Sequence, residues 1–111
     1  MPQYMLLLHE DPTGWAKLSP EEMQTAIEKY MAWAKKPINR GGKRLTEEPG
    51  KVIRYTPEGP RVTDGPYSET KEMMGGFYTI EAASYEEAVQ LSMDHPHLEH
   101  GTIEVRQIFE M

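Results

Sequence analysis

The sequence predicts an α+β domain, on three observations. Two capped helical segments lie between apolar runs of strand length. The order is strand, helix, strands, strand, helix, strand. Proline and glycine pairs cut the middle third into pieces too short for helices. One domain over residues 1–111 follows from the length, since compact domains most often run to roughly 100–150 residues.

Tyr4-Met5-Leu6-Leu7-Leu8-His9 is apolar on both alternating faces and is closed by the turn-prone Glu10-Asp11-Pro12-Thr13-Gly14, which suits a central strand covered on both sides. Ser19-Pro20-Glu21-Glu22 then supplies an N-cap, a proline at the first helical position and a glutamate three residues after the cap. Met23, Ala26, Ile27, Tyr30, Met31 and Ala34 follow at helical spacing and define the face for burial. Pro37 has no amide to bond back to Trp33, so the helix is expected to stop or bend near it, with Gly41-Gly42 ending the segment.

In the middle, Lys43–Thr46, Lys51–Tyr55 and Arg61–Thr63 read as short strands or an edge hairpin, and Asp64-Gly65-Pro66-Tyr67 as a turn. Gly75-Gly76 opens the strand Phe77–Ile80. Ser84-Tyr85-Glu86-Glu87 repeats the capping box, and Pro96 stops the second helix. From Thr102 to Phe109, Ile103, Val105 and Gln107 alternate with Glu104, Arg106 and Ile108, giving one apolar and one more polar face. This order suits a ferredoxin-like βαβ-βαβ sheet with two helices on one face. The other face would be left bare, so two copies packed there would make a dimeric α+β barrel.

Composition narrows the function. Twelve Lys and Arg against eighteen Asp and Glu leave a charge of -6, the wrong sign for tracking phosphates, so nucleic acid is not an expected partner. The absence of cysteine removes thiolate metal sites and cysteine nucleophiles. The longest apolar run is far short of the roughly 20 residues that span a bilayer, and no basic region precedes it, which predicts a cytoplasmic protein without membrane contact. No dinucleotide or phosphate-loop motif occurs, so no cofactor is expected.

Val62-Thr63-Asp64-Gly65-Pro66-Tyr67-Ser68-Glu69-Thr70-Lys71-Glu72, then Gly75-Gly76-Phe77-Tyr78-Thr79-Ile80, then Ile103-Glu104-Val105-Arg106, closely resemble the DGPF branch of the YCII-related family. Tyr67 stands where the phenylalanine of that motif would be, which keeps the ring and adds a hydroxyl. The resemblance implies a ferredoxin-like fold, a homodimer and a bacterial source. Some members of the branch are associated with extracytoplasmic-function sigma factors. A better understood branch of the family uses a His–Asp pair. Its histidine lies early in the first helix, where this chain has Glu21-Glu22-Met23-Gln24, and its aspartate precedes a proline, as in Asp94-His95-Pro96. Without the histidine that pair does not carry over.

The candidate residues therefore come from the chain itself. Asp64 either bonds the amides of its own turn or acts as a carboxylate base that orients a histidine, with Tyr67 and Lys71 beside it in a small polar pocket. His9, closing the first strand, is the matching acid/base group, or else a core or interface histidine. With both roles filled, Asp64 would face a cleft between the sheet and the first helix, within reach of His9. Arg106 would clamp a substrate carboxylate or pair across the sheet. His95, His97 and His100 read as a solvated loop rather than a metal site, because Pro96 disrupts regular helical spacing. Two functions follow. One is a cofactor-free enzyme that acts by proton transfer on a small organic substrate, in lyase or isomerase fashion. The other is a non-enzymatic dimeric module that binds a small-molecule ligand or a sigma-factor-linked regulatory partner.

Overall fold

The computed structural model describes residues 1–111. The chain runs as β1 (Gln3–Glu10), α1 (Pro12–Ala16), α2 (Pro20–Ala34), β2 (Asn39–Arg44), β3 (Lys51–Thr56), β4 (Gly59–Asp64), β5 (Met73–Glu81), α3 (Tyr85–Ser92), a 3₁₀ turn (Pro96–Glu99) and β6 (Gly101–Gln107). Strands β2-β5-β1-β6 form one sheet, with antiparallel pairing throughout, and β3-β4 form a separate two-stranded ribbon.

Register decides which residues share a face. Leu6 lies opposite Tyr78 on one side and Val105 on the other, so these three point the same way. That face is the buried one. Tyr4, Leu6, Leu8, Ile80 and Ala82 meet Trp33 of α2 and Ala88 of α3 in a single core, with Tyr30, Tyr78, Leu91, Ile103 and Val105 packed around it. Leu6 is wholly buried, and removing such a side chain from water is worth about 1.5–3 kcal/mol. The opposite face, with Met5, Leu7, Phe77 and Thr79, is only half-buried, so β1 is covered fully on one side rather than on both.

The helix signals act through the expected atoms. The Glu22 amide donates to Ser19 Oγ at 3.1 Å, and Glu22 Oε1 accepts from the Ser19 amide at 2.9 Å, closing the capping box. Helix α2 ends at Ala34, three residues before Pro37. The burial face differs in one position: Trp33 is 4% exposed while Met31 is 58% exposed. Ser84 caps α3 through the Glu87 amide, but the Glu87 carboxylate turns to the Ala83 amide instead of closing a box. Helix α1 replaces an expected turn, with Asp11 as N-cap and Pro12 at the first position.

The expected dimeric α+β barrel is corrected by the sheet itself. What forms is a mixed α/β topology on an open sheet that neither curls nor closes. Strands β2 and β6 are edges, each bonded on one side alone. The ribbon β3-β4 stands apart instead of extending the sheet. No helix is long and apolar enough to cross a membrane.

Candidate active-site clefts

The end of β1 serves two clefts. Alternation along the strand sends Leu8 and Glu10 to the helix side and His9 to the other, so consecutive residues face different cavities.

The inner cleft, about 400 Å³, lies between the sheet and helices α1 and α2. Its walls are aromatic: Trp15, Tyr30 and Tyr78 line it, and Trp15 meets the Tyr30 ring edge-on at 6.0 Å. Glycines form part of the lining. A Cβ on Gly75 would stand 2.1 Å from Glu10 Oε1, so the bare glycine is what lets that carboxylate lie over β5. Burial pushes the Glu10 carboxyl above the usual glutamate range, with the nearby Arg44 guanidinium opposing part of the shift. Arg44 itself stacks over Trp15 at 5.3 Å.

A chain of hydrogen bonds backs this cleft. Only a donor can bond a carbonyl, so His97 Nε2, 2.9 Å from the His9 carbonyl oxygen, carries the proton and His97 Nδ1 is a bare acceptor. Tyr30, whose hydroxyl is 2.7 Å from that Nδ1, must therefore donate to it. Desolvation and the Glu10 charge push the Tyr30 hydroxyl well above the usual tyrosine range, and desolvation pulls His97 down, so both are neutral near pH 7. His95 sits beside them, its Nδ1 accepting the His97 amide at 3.0 Å, its ring 4.3 Å from Trp33 and 4.9 Å from Tyr78. Its Nε2 has no hydrogen-bond partner in the protein, and burial takes its pKa down to about 4.

The solvated loop expected at His95–His100 is thus a correction. His95 and His97 are 2% and 0% exposed. The turn is pinned from α2, where Trp33 Nε1 donates to Asp94 at 3.1 Å and Lys29 pairs with Glu99 at 3.1 Å. No three His, Asp or Glu side chains are arranged to hold a metal ion.

The outer cleft, about 650 Å³, is lined by His9, Lys51, Tyr67, Glu72 and Thr102 among others. His9 Nε2 is 3.0 Å from Glu104 Oε1, and Thr102 donates to Glu72 at 3.0 Å. Asp64, at the end of β4, pairs with Lys51 across the ribbon and is 80% exposed. It bonds neither its own turn amides nor His9, so the structure does not bring the two expected partners together. Gly65 has a steric role here, because a Cβ there would stand 2.1 Å from the Pro49 carbonyl. Tyr67 is exposed, with Arg54 over its ring at 5.5 Å. Lys71 is exposed and acts electrostatically on Asp11. Arg106 shares the sheet face of Glu104 and His9 and makes no ion pair.

Sequence reasoning missed Glu10, Tyr30, Arg44 and His97 as a group. Glu10 read as part of a turn and Tyr30 as core, and no motif links residues so far apart in the chain. A model of the YCII-related domain matches residues 2–111. An uncharacterised protein of Rhizobium meliloti (strain 1021) is 28% identical over 112 residues, covering 95% of this chain and 90% of that one. Among solved structures, 5-chloro-2-hydroxyhydroquinone dehydrochlorinase from Burkholderia phenoliruptrix AC1100, in complex with 2,5-dihydroxybenzoquinone, is similar at a TM-score of 0.49 and 14% identity, covering 98% of this chain and 95% of that one.

Proposed function

Since the chain belongs to the YCII-related family, we propose that it is a homodimeric, cofactor-free enzyme of the DGPF branch, acting in lyase or isomerase fashion by proton transfer on a small organic substrate. The observation that carries the proposal is Glu10. It is a half-buried carboxyl whose pKa is raised by desolvation, set in an aromatic cleft of about 400 Å³. A carboxyl tuned upward exchanges protons efficiently near neutral pH, because its acid and base forms lie closer in energy there. Arg44 supplies positive charge for the oxyanion that forms when a carbon or oxygen next to a carbonyl loses a proton. The rings of Trp15, Tyr30 and Tyr78 favour a flat substrate.

The residues expected from the sequence enter through the outer cleft. His9, oriented by Glu104, is a second acid/base group, with Tyr67 on the wall beside it. Asp64 acts by holding Lys51, which lines that cleft. Lys71 and Arg106 would meet an anionic substrate group approaching from that side.

Solvent deuterium exchange tests the proposal without a known product. Incubation in heavy water with a panel of small enolisable and hydroxylated ring compounds should label at least one of them at carbon. Glu10→Gln should slow the labelling by roughly 10²–10⁴-fold. Undiminished exchange in that variant would remove Glu10 from the mechanism, and no exchange across the panel would contradict the enzyme reading.

A further inference from the structure

We propose that Tyr30 and His97 form a two-residue proton relay opening on the inner cleft, and that the cleft's ligand is a flat ring compound bearing an acidic hydroxyl, a phenol or an enol. This rests on the inner cleft being the ligand site. Tyr30 is the catalytic residue, since its side chain lines the cleft. His97 is wholly buried, does not line the cleft and acts through Tyr30 as a positioning and proton-holding residue.

The direction of transfer follows from the tautomer. The Tyr30 hydroxyl already donates its hydrogen bond to His97 Nδ1 at 2.7 Å, which leaves the phenolic oxygen as an acceptor for any hydroxyl arriving in the cleft. A ligand O–H proton then moves to Tyr30 Oη as the tyrosine proton moves to His97 Nδ1. The products are a ligand oxyanion, a neutral tyrosine and an imidazolium. No oxidant, reductant or co-reactant is required. Both protons of the imidazolium have acceptors in place, Tyr30 Oη and the His9 carbonyl.

Around Tyr30 stand Glu10, Arg44, Tyr78 and Glu99; Arg44 is the one cation that offsets a new oxyanion, against the carboxylates of Glu10 and Glu99. Around His97 stand His9, His100 and Glu72; burial and the two histidine rings oppose the imidazolium, while the bond to the His9 carbonyl and the Glu72 carboxylate favour it. An independent observation shows that the inner end of the relay is built. A Cβ on Gly101 would lie 2.1 Å from the His9 carbonyl oxygen and 2.9 Å from His97 Nε2, so the bond between them exists because residue 101 has no side chain.

The test uses 4-nitrophenol, whose phenolate is coloured, at a pH where the free phenol is mostly neutral. Bound to the intact protein, its ionised-to-neutral ratio should rise about tenfold or more, equivalent to about 1.4 kcal/mol. Tyr30→Phe keeps the ring and its contacts, so it should still bind the phenol but return that ratio to within about twofold of the free value. His97→Asn, whose amide oxygen accepts the tyrosine hydrogen bond but takes no proton, should do the same. A raised ratio that survives in Tyr30→Phe would overturn the relay and leave Arg44 as the cause. Binding of the neutral phenol by the intact protein would overturn the relay while sparing the cleft. Failure to bind at all would overturn both.

Discussion

Replacing Gly101 by alanine tests the linkage between the strand β6, the buried turn and the inner cleft. Gly101 does not have positive φ, so alanine meets no conformational penalty and the whole effect is steric. Its Cβ would stand 2.1 Å from the His9 carbonyl oxygen, where ordinary contact begins at 3.4 Å. The obstacle is backbone, so the start of β6 must yield by roughly 1.3 Å, enough to break a 2.9 Å hydrogen bond from His97 to the same oxygen. Leaving the buried His97 donor unpaired costs about 1–3 kcal/mol, and the displacement adds about 1–3 kcal/mol as overpacking does in a core. A net loss of about 3 kcal/mol should lower the melting temperature by roughly 10–15 °C in a domain of this size. Thermal unfolding followed by circular dichroism reads the shift. An unchanged melting temperature, with 4-nitrophenol still ionised in the cleft, would refute the claim that Gly101 makes room for the His97 bond.

Three further outcomes follow from the same contacts. Asp64→Asn removes one partner of an ion pair whose side chains are 70% and 80% exposed, so urea unfolding should register less than about 1 kcal/mol; a loss of deuterium exchange without a loss of stability would support the functional role expected of Asp64, and the reverse would deny it. His95 is held neutral when folded, with a pKa of about 4 against about 6.5 in the unfolded chain. Its contribution to stability is therefore present above pH 6.5 and lost as pH falls from there toward 4; urea unfolding across that window should show the decline, and His95→Leu should flatten it. Light scattering should give about twice the 12.8 kDa chain mass, and a folded monomer at micromolar concentration would contradict the homodimer.

Local signals in this chain were readable because they act over a few residues. Ser19 and Glu22 satisfy each other across one helical turn, Pro37 lacks an amide, and Ile103 and Val105 alternate with Glu104 and Arg106, so none of these depends on distant packing. The same rule would have found α1, since Asp11-Pro12 is an N-cap followed by a favoured first position. The clefts were not readable, because they depend on which face each strand presents and on what lies opposite. His95 and His97 look like surface residues until Trp33, some sixty positions earlier, holds Asp94 and closes the turn over them. Glu10 has the composition of a turn residue, and only its pairing with β5, beside the side-chain-free Gly75, makes it a half-buried acid. The barrel failed for a related reason: an apolar alternation shows that a face is buried, whereas closure depends on how many strands join one sheet and where the edges lie.

Titration of the Glu10 carboxyl carbon by ¹³C NMR, with and without 4-nitrophenol, tests the central claim most directly. Desolvation in the inner cleft should hold its pKa above the usual glutamate range in the free protein, and a bound oxyanion beside it should push it further up. A Glu10 resonance that titrates in the ordinary glutamate range and ignores the ligand would contradict the account.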